Sequence, residues 1–390
     1  MKEIRTVLGN LYWVLTAFAV LPLLLSSCET SDREMAAEDG FIFRLSLPPA
    51  LSVDTRAGSI DGTSVNDVWV IQFGADKKKI LAKNYGESSI AQGANGALLI
   101  VTTDGFSNVN STFRVIGNFG SDQAKLIAFS KKDDATLKDL QEITIDYPAY
   151  NSRSNLLVSN DIKYESKEVD EGAGKAVIIA PLNFAFAWID VNWTNKVASP
   201  ARFVLSSIKA SGLPASLAVD TRAGVASGVY PVTAAGSHEV ATGATLPTGS
   251  TYTFYMPENL RGVGCGMSFQ DKNLASYGPK SDGTAPALSV NGKPETGGSL
   301  ANCTYIDLAG SYWYANSANT APVADPVGVN YRLYLGGNLM NDYNIRRGYH
   351  YTITVEVSGI NSADVRVTIT DGAVVVFDKV ETITKEVDFR

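Results

Sequence analysis

The side chains that most often do chemistry in proteins are few in this sequence and poorly placed for catalysis. The two histidines, His238 and His350, lie near no nucleophile or acid in a known catalytic arrangement. No metalloprotease helix, phosphate loop or dinucleotide fingerprint is present, and the cysteines lack metal-ligand spacing. The Asp-Gly pairs that begin at Asp61, Asp104, Asp282 and Asp371 lack the spacing of a calcium loop and are typical of turns. We therefore predict a protein that is not an enzyme and has no cofactor or metal.

The N-terminus predicts export and lipid attachment. A basic start, MKEIR, precedes a largely apolar run from Val7 to Leu25, which is typical of an export signal. The run ends in Leu25-Ser26-Ser27-Cys28, where small residues precede a cysteine as in a bacterial lipobox. We predict a signal peptide over residues 1–27 and acylation of Cys28. The alternative is an uncleaved membrane anchor, because the apolar run is long enough to span a bilayer.

Two further cysteines, Cys265 and Cys303, leave two interpretations open. An exported chain meets oxidising conditions, so the two thiols could form a disulfide. Such a bond would stabilise the fold by about 4 kcal/mol in the chain-entropy model. The alternative is two separate buried thiols.

The hexapeptide VDTRAG occurs twice, at Val53–Gly58 and at Val219–Gly224. The surrounding sequences have nothing else in common, so the hexapeptide is not an architectural repeat. The first copy, which contains Arg56, follows a strand-like segment in polar, glycine-containing chain that we expect to be accessible. The second copy lies in a segment rich in small residues between two predicted strands. We interpret it as a chance recurrence in an exposed loop.

Composition restricts the class of protein. The 390 residues are 45% hydrophobic and 19% charged, which is enough apolar content for the cores of two domains. The net charge is −7 and no stripe of Lys and Arg is visible. Nucleic acid is therefore not an expected partner, because neutralising phosphates supplies most of that affinity.

The secondary structure predicted from the sequence is mostly β-strand. FIFRLSL alternates apolar and other residues, which predicts a strand with one buried face made of Phe41, Phe43, Leu45 and Leu47. Similar alternation recurs along the chain to Val365–Ile369, and one short helix is predicted around Leu137–Ile143. The polar stretch Lys163–Lys175 has no apolar period and is interpreted as a linker.

We predict an all-β fold of two antiparallel β-sandwich domains in tandem. The N-terminal domain would cover residues 57–175 and the C-terminal domain residues 176–390. A propeptide, residues 28–56, would carry the first strand and follow the signal peptide.

Several segments resemble the fimbrillin family, the type V pilus subunits of Bacteroidales outer membranes. Tyr255–Asn259 with Arg261-Gly262 resembles the family segment y-x-P-E-N-x-x-G, and Thr304–Ile306 resembles the start of TYIEI-x-G-x-Y. Tyr331–Gly336 followed by Asn341–Ile345 resembles Y-x-x-Y-L-G … NDFN-x-x-R, with Tyr343 in place of the usual Phe. VWVIQFGADKKKIL and FRVIGNFG resemble two strands of the family's first domain. The motifs follow the family's order over most of the chain.

The resemblance implies transthyretin-like sandwiches and a lipoprotein precursor that is carried to the outer membrane and built into a surface fimbria. In this family an arginine-specific protease cuts after the first strand, and a C-terminal strand of another subunit fills the groove. On this chain the cut would fall between Arg56 and Ala57. The implied partners are the protease, other fimbrial subunits in a homopolymer or mixed fibre, outer-membrane lipid, and host or bacterial surface ligands.

Physical chemistry makes this scheme reasonable for FIFRLSL. Removing four buried side chains would cost on the order of 6–12 kcal/mol, comparable to the stability of a whole domain. An open groove would therefore favour a replacement strand. The tail offers one face with Ile383, Val387 and Phe389, interrupted by Lys385, and a second face with Val374, Val376 and Val380.

Two other functions fit the sequence. An uncleaved fimbrial anchor or a tip adhesin would keep its lipid and its first strand. A glycan-binding surface lipoprotein would use an aromatic patch in GSYWYANS, made of Tyr312, Trp313 and Tyr314. The alternative for these three residues is an ordinary place in a strand and at its rim.

Overall fold

The structure is a computed structural model that describes residues 41–47, 65–92, 98–101, 106, 110–120, 123–146, 156–163, 167–170, 175–220, 234–360, 362–371 and 386–388. Within these residues the chain is mostly β-strand with three short α-helices, which confirms the predicted β class. None of the helices in the described ranges has the length and apolar character needed to cross a bilayer.

The first half of the chain builds one large sheet. Its elements in chain order are β1 (Phe41–Ser46), β2 (Asp67–Gly74), β3 (Lys79–Gly86), β4 (Ile90–Gln92), β5 (Leu98–Val101), β6 (Ser111–Gly117), α1 (Gln123–Lys131), α2 (Leu137–Gln141), β7 (Thr144–Asp146), β8 (Leu157–Ser159), β9 (Ile162–Lys163), β10 (Lys167–Asp170) and β11 (Lys175–Phe184). The strand order is β3-β2-β6-β8-β11-β1-β5-β4, with β10 on β11 and β9 on β6. We call this ten-stranded unit the first sheet.

The second half forms two facing sheets. Its elements are β12 (Phe186–Asn195), β13 (Arg202–Pro214), β14 (Ser216–Ala218), β15 (Ala234–Thr242), β16 (Thr251–Pro257), β17 (Asn259–Val263), α3 (Phe269–Lys272), β18 (Tyr305–Trp313), β19 (Val327–Tyr334), β20 (Asp342–Ile345), β21 (Tyr349–Gly359), β22 (Ser362–Asp371) and β23 (Glu386–Asp388). One sheet has the order β16-β12-β21-β22-β23 and the other β15-β13-β18-β19. Two small ladders, β14-β7 and β17-β20, complete the pairing.

The three largest apolar cores of the described residues hold these layers. The first core lies on one face of the first sheet and contains the inward side chains of β1, including Phe43 and Leu45. The second core lies on the opposite face, against α1 and α2, and includes Phe186 and Leu217 from beyond the first sheet. The third core fills the space between the two sheets of the second half. The alternation along β2 shows the division, since Val70 faces the first core and Ile71 the second.

The predicted helix around Leu137–Ile143 is present as α2. Thr136 accepts a hydrogen bond from the Asp139 amide, and the Asp139 carboxylate accepts from the Thr136 amide, so a capping box begins the helix. Leu137 and Leu140 then pack into the second core.

Two strand pairings differ from the antiparallel prediction. β1 pairs with β11, and β12 pairs with β21, in parallel. Hairpin spacing predicts antiparallel neighbours only for strands that follow each other, whereas these pairs are joined by long stretches of chain. The stretch interpreted as a linker contributes β10 to the first sheet, and β11 belongs to the same sheet.

Candidate functional site

β1 lies inside the first sheet, away from the strand that follows it in sequence. It pairs in parallel with β11, Phe41 opposite Ala176 and Ser46 opposite Pro181. On its other side it pairs antiparallel with β5, from Ile42 to Leu45. β2, the next strand along the chain, instead pairs with β3 and β6. The chain that leads from β1 to β2 contains Arg56, so a cut there would leave β1 attached by non-covalent contacts to its sheet.

Four phenylalanine rings meet where β1 enters the first core. The centroid of the Phe43 ring lies 5.7 Å from that of Phe106 and 5.3 Å from that of Phe113, both edge to face. Phe41 contacts the same two rings at 6.4 and 6.3 Å. Such pairs contribute about 0.5–1.5 kcal/mol beyond the burial of their area. Without β1, Phe106 and Phe113 would form an aromatic floor of an open groove.

The inward face of β1 is buried as predicted, and one residue of the outward face is buried as well. Phe43 and Leu45 are 0% exposed, and Leu47 packs partly buried against the same core. On the other face Ile42 is 7% exposed, opposite Val177, which is also buried. Further along the outward face Arg44 is partly exposed and Ser46 is exposed, so β1 is buried on both faces only at its start.

Most of the other predicted site residues lie outside the described residues. These are the lipidation residue Cys28, the processing residues Arg56 and Ala57, and the tail residues Ile383 and Phe389. Val387 lies in β23, which pairs with β22 at the edge of the five-stranded sheet, Val387 opposite Ala363. The groove of β1 and the described part of the tail are thus on different sheets.

The second VDTRAG copy begins in buried structure. Val219 lies in the second core, and its amide donates to the Ile143 carbonyl at 3.0 Å. Asp220 is 2% exposed and accepts from the Nε of Arg114 on β6 at 3.0 Å. The expected exposed loop is therefore wrong for these two residues, because Val219 packs into the second core and Asp220 pairs with the buried Arg114. Thr221–Gly224 lie outside the described residues.

Arg114 forms ion pairs with two carboxylates. Besides Asp220 it binds Asp161, whose side chain is about half exposed. Burial alone would lower the pKa of Arg114, but the charges and hydrogen bonds of Asp220 and Asp161 outweigh it and raise the pKa. The charged cluster ties the first sheet to the chain that follows β14.

The two remaining cysteines are free thiols. Cys303 is buried beside Tyr334 and Tyr343, and burial raises the pKa of its thiol to about 12. Cys265 is partly exposed, and burial raises its pKa as well. A thiol with a raised pKa forms little thiolate, so neither residue is placed as a reactive nucleophile.

The aromatic residues of GSYWYANS divide between core and surface. Tyr312 packs into the third core. The guanidinium of Arg202 lies over the ring of Trp313 at 4.8 Å from its centroid and so occupies one face of the indole. Tyr314 is 46% exposed. The three residues do not form a continuous stacking platform.

The two histidines lie apart, and one is paired. His350 Nε2 lies 2.9 Å from Asp190 Oδ2, and the same carboxylate accepts from Thr253 and from the indole of Trp188. Burial would raise the pKa of Asp190, but these hydrogen bonds hold it below its usual range. His238 packs near Phe254. In the described ranges, no group of three or more His, Cys, Asp and Glu residues could hold a metal.

The motif residues that carry the family resemblance meet in the second half and bond to one another. The side-chain Nδ2 of Asn259 donates to the Asn302 carbonyl and to the Thr304 hydroxyl, both at 2.9 Å. Asn344 accepts from the Gly262 amide at 2.8 Å. Gly262 has a φ of +95°, and a Cβ there would meet the Gly283 backbone, so only glycine fits. These residues form hydrogen bonds between segments that are distant in sequence, so their role is structural.

Residues 254–355 match a family model described as a domain of unknown function (DUF4906), which covers about a quarter of the chain. No curated protein matches the chain in sequence.

Among solved structures, the chain is similar to the tip fimbrial protein Mfa3 of Porphyromonas gingivalis, at 11% identity and TM-score 0.49 over 85% of this chain and 99% of that one. It is similar to the fimbrilin FimA of P. gingivalis W83, at 11% identity and TM-score 0.48 over 86% and 97%. It is also similar to the fimbrial anchor protein Mfa2 of P. gingivalis, at 13% identity and TM-score 0.32 over 85% and 97%. All three of these solved structures are of fimbrial proteins. At these identities the roles of individual residues do not transfer.

Sequence reasoning missed the two rings that receive β1. Phe113 lies in STFRVIG, where strand alternation marks it as a core residue without indicating its partner. Phe106 stands alone in TDGFSN, and no periodic pattern includes it. Only the fold brings these two side chains to Phe41 and Phe43.

Proposed function

We propose that this protein is a structural subunit of a cell-surface fimbria, exported as a lipoprotein on Cys28 and polymerised by strand exchange after cleavage at Arg56. One observation carries the proposal. An N-terminal strand fills the middle of a sheet, is buried in its core, and is joined to the rest of that sheet through the segment that contains Arg56. Cleavage there would free both the lipid and the strand.

The two cores on either face of the first sheet respond differently when β1 leaves after that cut. The first core loses Phe41, Phe43 and Leu45, and each loss costs about 1.5–3 kcal/mol of burial. The second core contains no residue of β1. The first sheet therefore keeps one complete apolar face, which supports an open groove on the other until a strand from another subunit enters it.

The proposal assigns a role to each part of the chain. Residues 1–27 are the signal peptide, and residues 28–56 are the segment released with β1. The rest forms two β-sandwich units. The pairing of β11 with β1 favours a boundary near Ala185, between β11 and β12, over one at residue 175.

The test uses the two identical hexapeptides as a matched pair. Arg56→Ala and Arg222→Ala are introduced separately, and the surface-exposed protein is analysed by N-terminal sequencing and on gels for a high-mass ladder. We expect wild type and Arg222→Ala to begin at Ala57 and to form the ladder. We expect Arg56→Ala to keep acylated Cys28 and to form none.

Acylated Cys28 on the wild-type surface protein would contradict the proposal. It would point instead to an uncleaved anchor or tip protein that keeps β1. The glycan-binding alternative would use Trp313, and Arg202 already covers one face of that ring.

A further inference from the structure

We propose that the groove of β1 selects a strand with aromatic side chains at two alternate positions, and that its occupant is a strand of a different subunit. This chain's own tail does not fit. The inference rests on the proposed function, because the groove opens only when β1 leaves. It specifies the partner that replaces β1.

The groove is shaped for two rings followed by an aliphatic side chain. Positions 41, 43 and 45 point into the first core, and all three side chains are buried. The rings at 41 and 43 lie 6.4 Å apart and share Phe106 and Phe113 as edge-to-face neighbours. Phe106 and Phe113 themselves lie 6.1 Å apart. A smaller residue at 41 or 43 would leave a void between these walls, which close-packed cores do not tolerate well.

The tail of this chain offers no such strand. Residues 372–390 contain two aromatic residues, Phe377 and Phe389, which are twelve positions apart. In the register that puts Ile383 at position 41, Lys385 would take the place of Phe43, which is 0% exposed. With Val387 at position 41, Phe389 would take position 43 and a valine would replace the ring of Phe41.

Two registers place an apolar residue or glycine at all three positions, and both underfill the groove. They begin at Ala373, which gives Ala, Val and Phe, and at Gly372, which gives Gly, Val and Val. Reversing the strand direction changes the order of these residues but not their sizes. In every register of residues 372–390 at least one of the two ring positions therefore lacks a ring, so the tail of a second copy of this chain is a poor donor.

The donor that fits has the inward pattern aromatic-x-aromatic-x-aliphatic. The outward positions accept polar side chains, as Arg44 is partly exposed and Ser46 exposed. A fibre in which this groove is filled is therefore mixed at this junction. A subunit of another sequence supplies the strand.

The test uses the full chain with a unique protease site in place of Val53–Gly58. After cleavage, a large excess of each fluorescein-labelled peptide is added in mild urea, which loosens the cut β1, and the urea is then removed. Exchange of β1 for the peptide is measured by co-elution and fluorescence anisotropy. The probes are FIFRLSL, its Phe43→Val form, its outward control Arg44→Lys, and the tail peptides AVVVFDK and ITKEVDF. We expect FIFRLSL and the Arg44→Lys peptide to bind within about threefold of each other. We expect the Phe43→Val and tail peptides to bind at least about tenfold more weakly.

Each outcome decides between the two proposals. Tail peptides that bind as well as FIFRLSL would overturn the mixed-fibre inference and leave strand exchange standing. Equal binding of the Phe43→Val peptide would overturn the aromatic selection. If no peptide enters, including FIFRLSL, strand exchange itself is wrong and the inference falls with it.

As an independent check in the uncut chain, Phe41→Val and Phe43→Val are each expected to lower the melting temperature by about 5 °C. A change below about 1 °C for both would show that the groove does not require rings.

Discussion

The first and second cores lie on opposite faces of the same sheet, are built from the same kinds of side chain, and differ in what holds them together. The first core depends on β1, which enters from the N-terminus and has its sheet partners far along the chain. The second core is closed by α1, α2 and residues beyond the first sheet such as Phe186 and Val219. A buried ion pair, Arg114 with Asp220, adds to that closure.

The difference teaches that burial alone does not decide which part of a core is permanent. Phe43 in the first core and Phe119 in the second are both 0% exposed. One cut in the chain would leave Phe43 on a separate segment and Phe119 within the remaining subunit. Covalent connectivity decides which of two equally packed faces can be exchanged.

The largest expected effect is the loss of stability when one buried ring is removed from the first or the second core. Phe43→Ala and Phe119→Ala should each lower the free energy of unfolding of the uncut chain by about 3–5 kcal/mol, because both delete a fully buried ring. After cleavage and release of β1, only Phe119→Ala should still destabilise the protein. Urea denaturation of the uncut and cut forms measures both. An equal loss from Phe43→Ala in the two forms would mean that β1 never leaves.

A somewhat smaller effect concerns the ion pair behind the second core. Asp220→Asn leaves a buried arginine with one remaining, partly exposed carboxylate, and should cost about 3 kcal/mol of stability. Asp161→Asn is the matched control and should cost under about 1 kcal/mol, because that partner is in contact with solvent. The comparison is made by urea denaturation before and after cleavage. Similar costs for the two variants would show that Asp220 does not anchor Arg114.

The smallest expected effect is a pH dependence of stability. It comes from Asp190, which lies in neither the first nor the second core. The folded pKa of Asp190 is lowered, so its contribution to stability is present above the unfolded pKa of about 4 and is lost as pH falls through the folded pKa. Asp190→Asn should therefore flatten the fall in melting temperature between about pH 5 and about pH 3. Cleavage at Arg56 should leave this slope unchanged. Parallel slopes for wild type and Asp190→Asn would contradict the assignment.

Much of this comparison could be predicted from sequence, where local pattern decides the structure. Alternation predicts β1 and its inward residues, and the spacing of Leu137, Leu140 and Ile143 predicts α2. The parallel insertion of β1 beside β11 could not be predicted, because strand partners distant in sequence leave no local signal. For the same reason Phe106 and the burial of Asp220 were not foreseen, since each follows from contacts made by other parts of the chain.

The most direct test of the central claim asks whether β1 is still present in the assembled fibre. Fibres are purified from cells, and the segment Phe41–Leu47 is quantified by mass spectrometry against a segment of β21 from the same chain. The account predicts that the β1 segment is absent from fibres and present in the unprocessed precursor. A β1 segment found in fibres at the same molar amount as the β21 segment would contradict strand exchange at this groove.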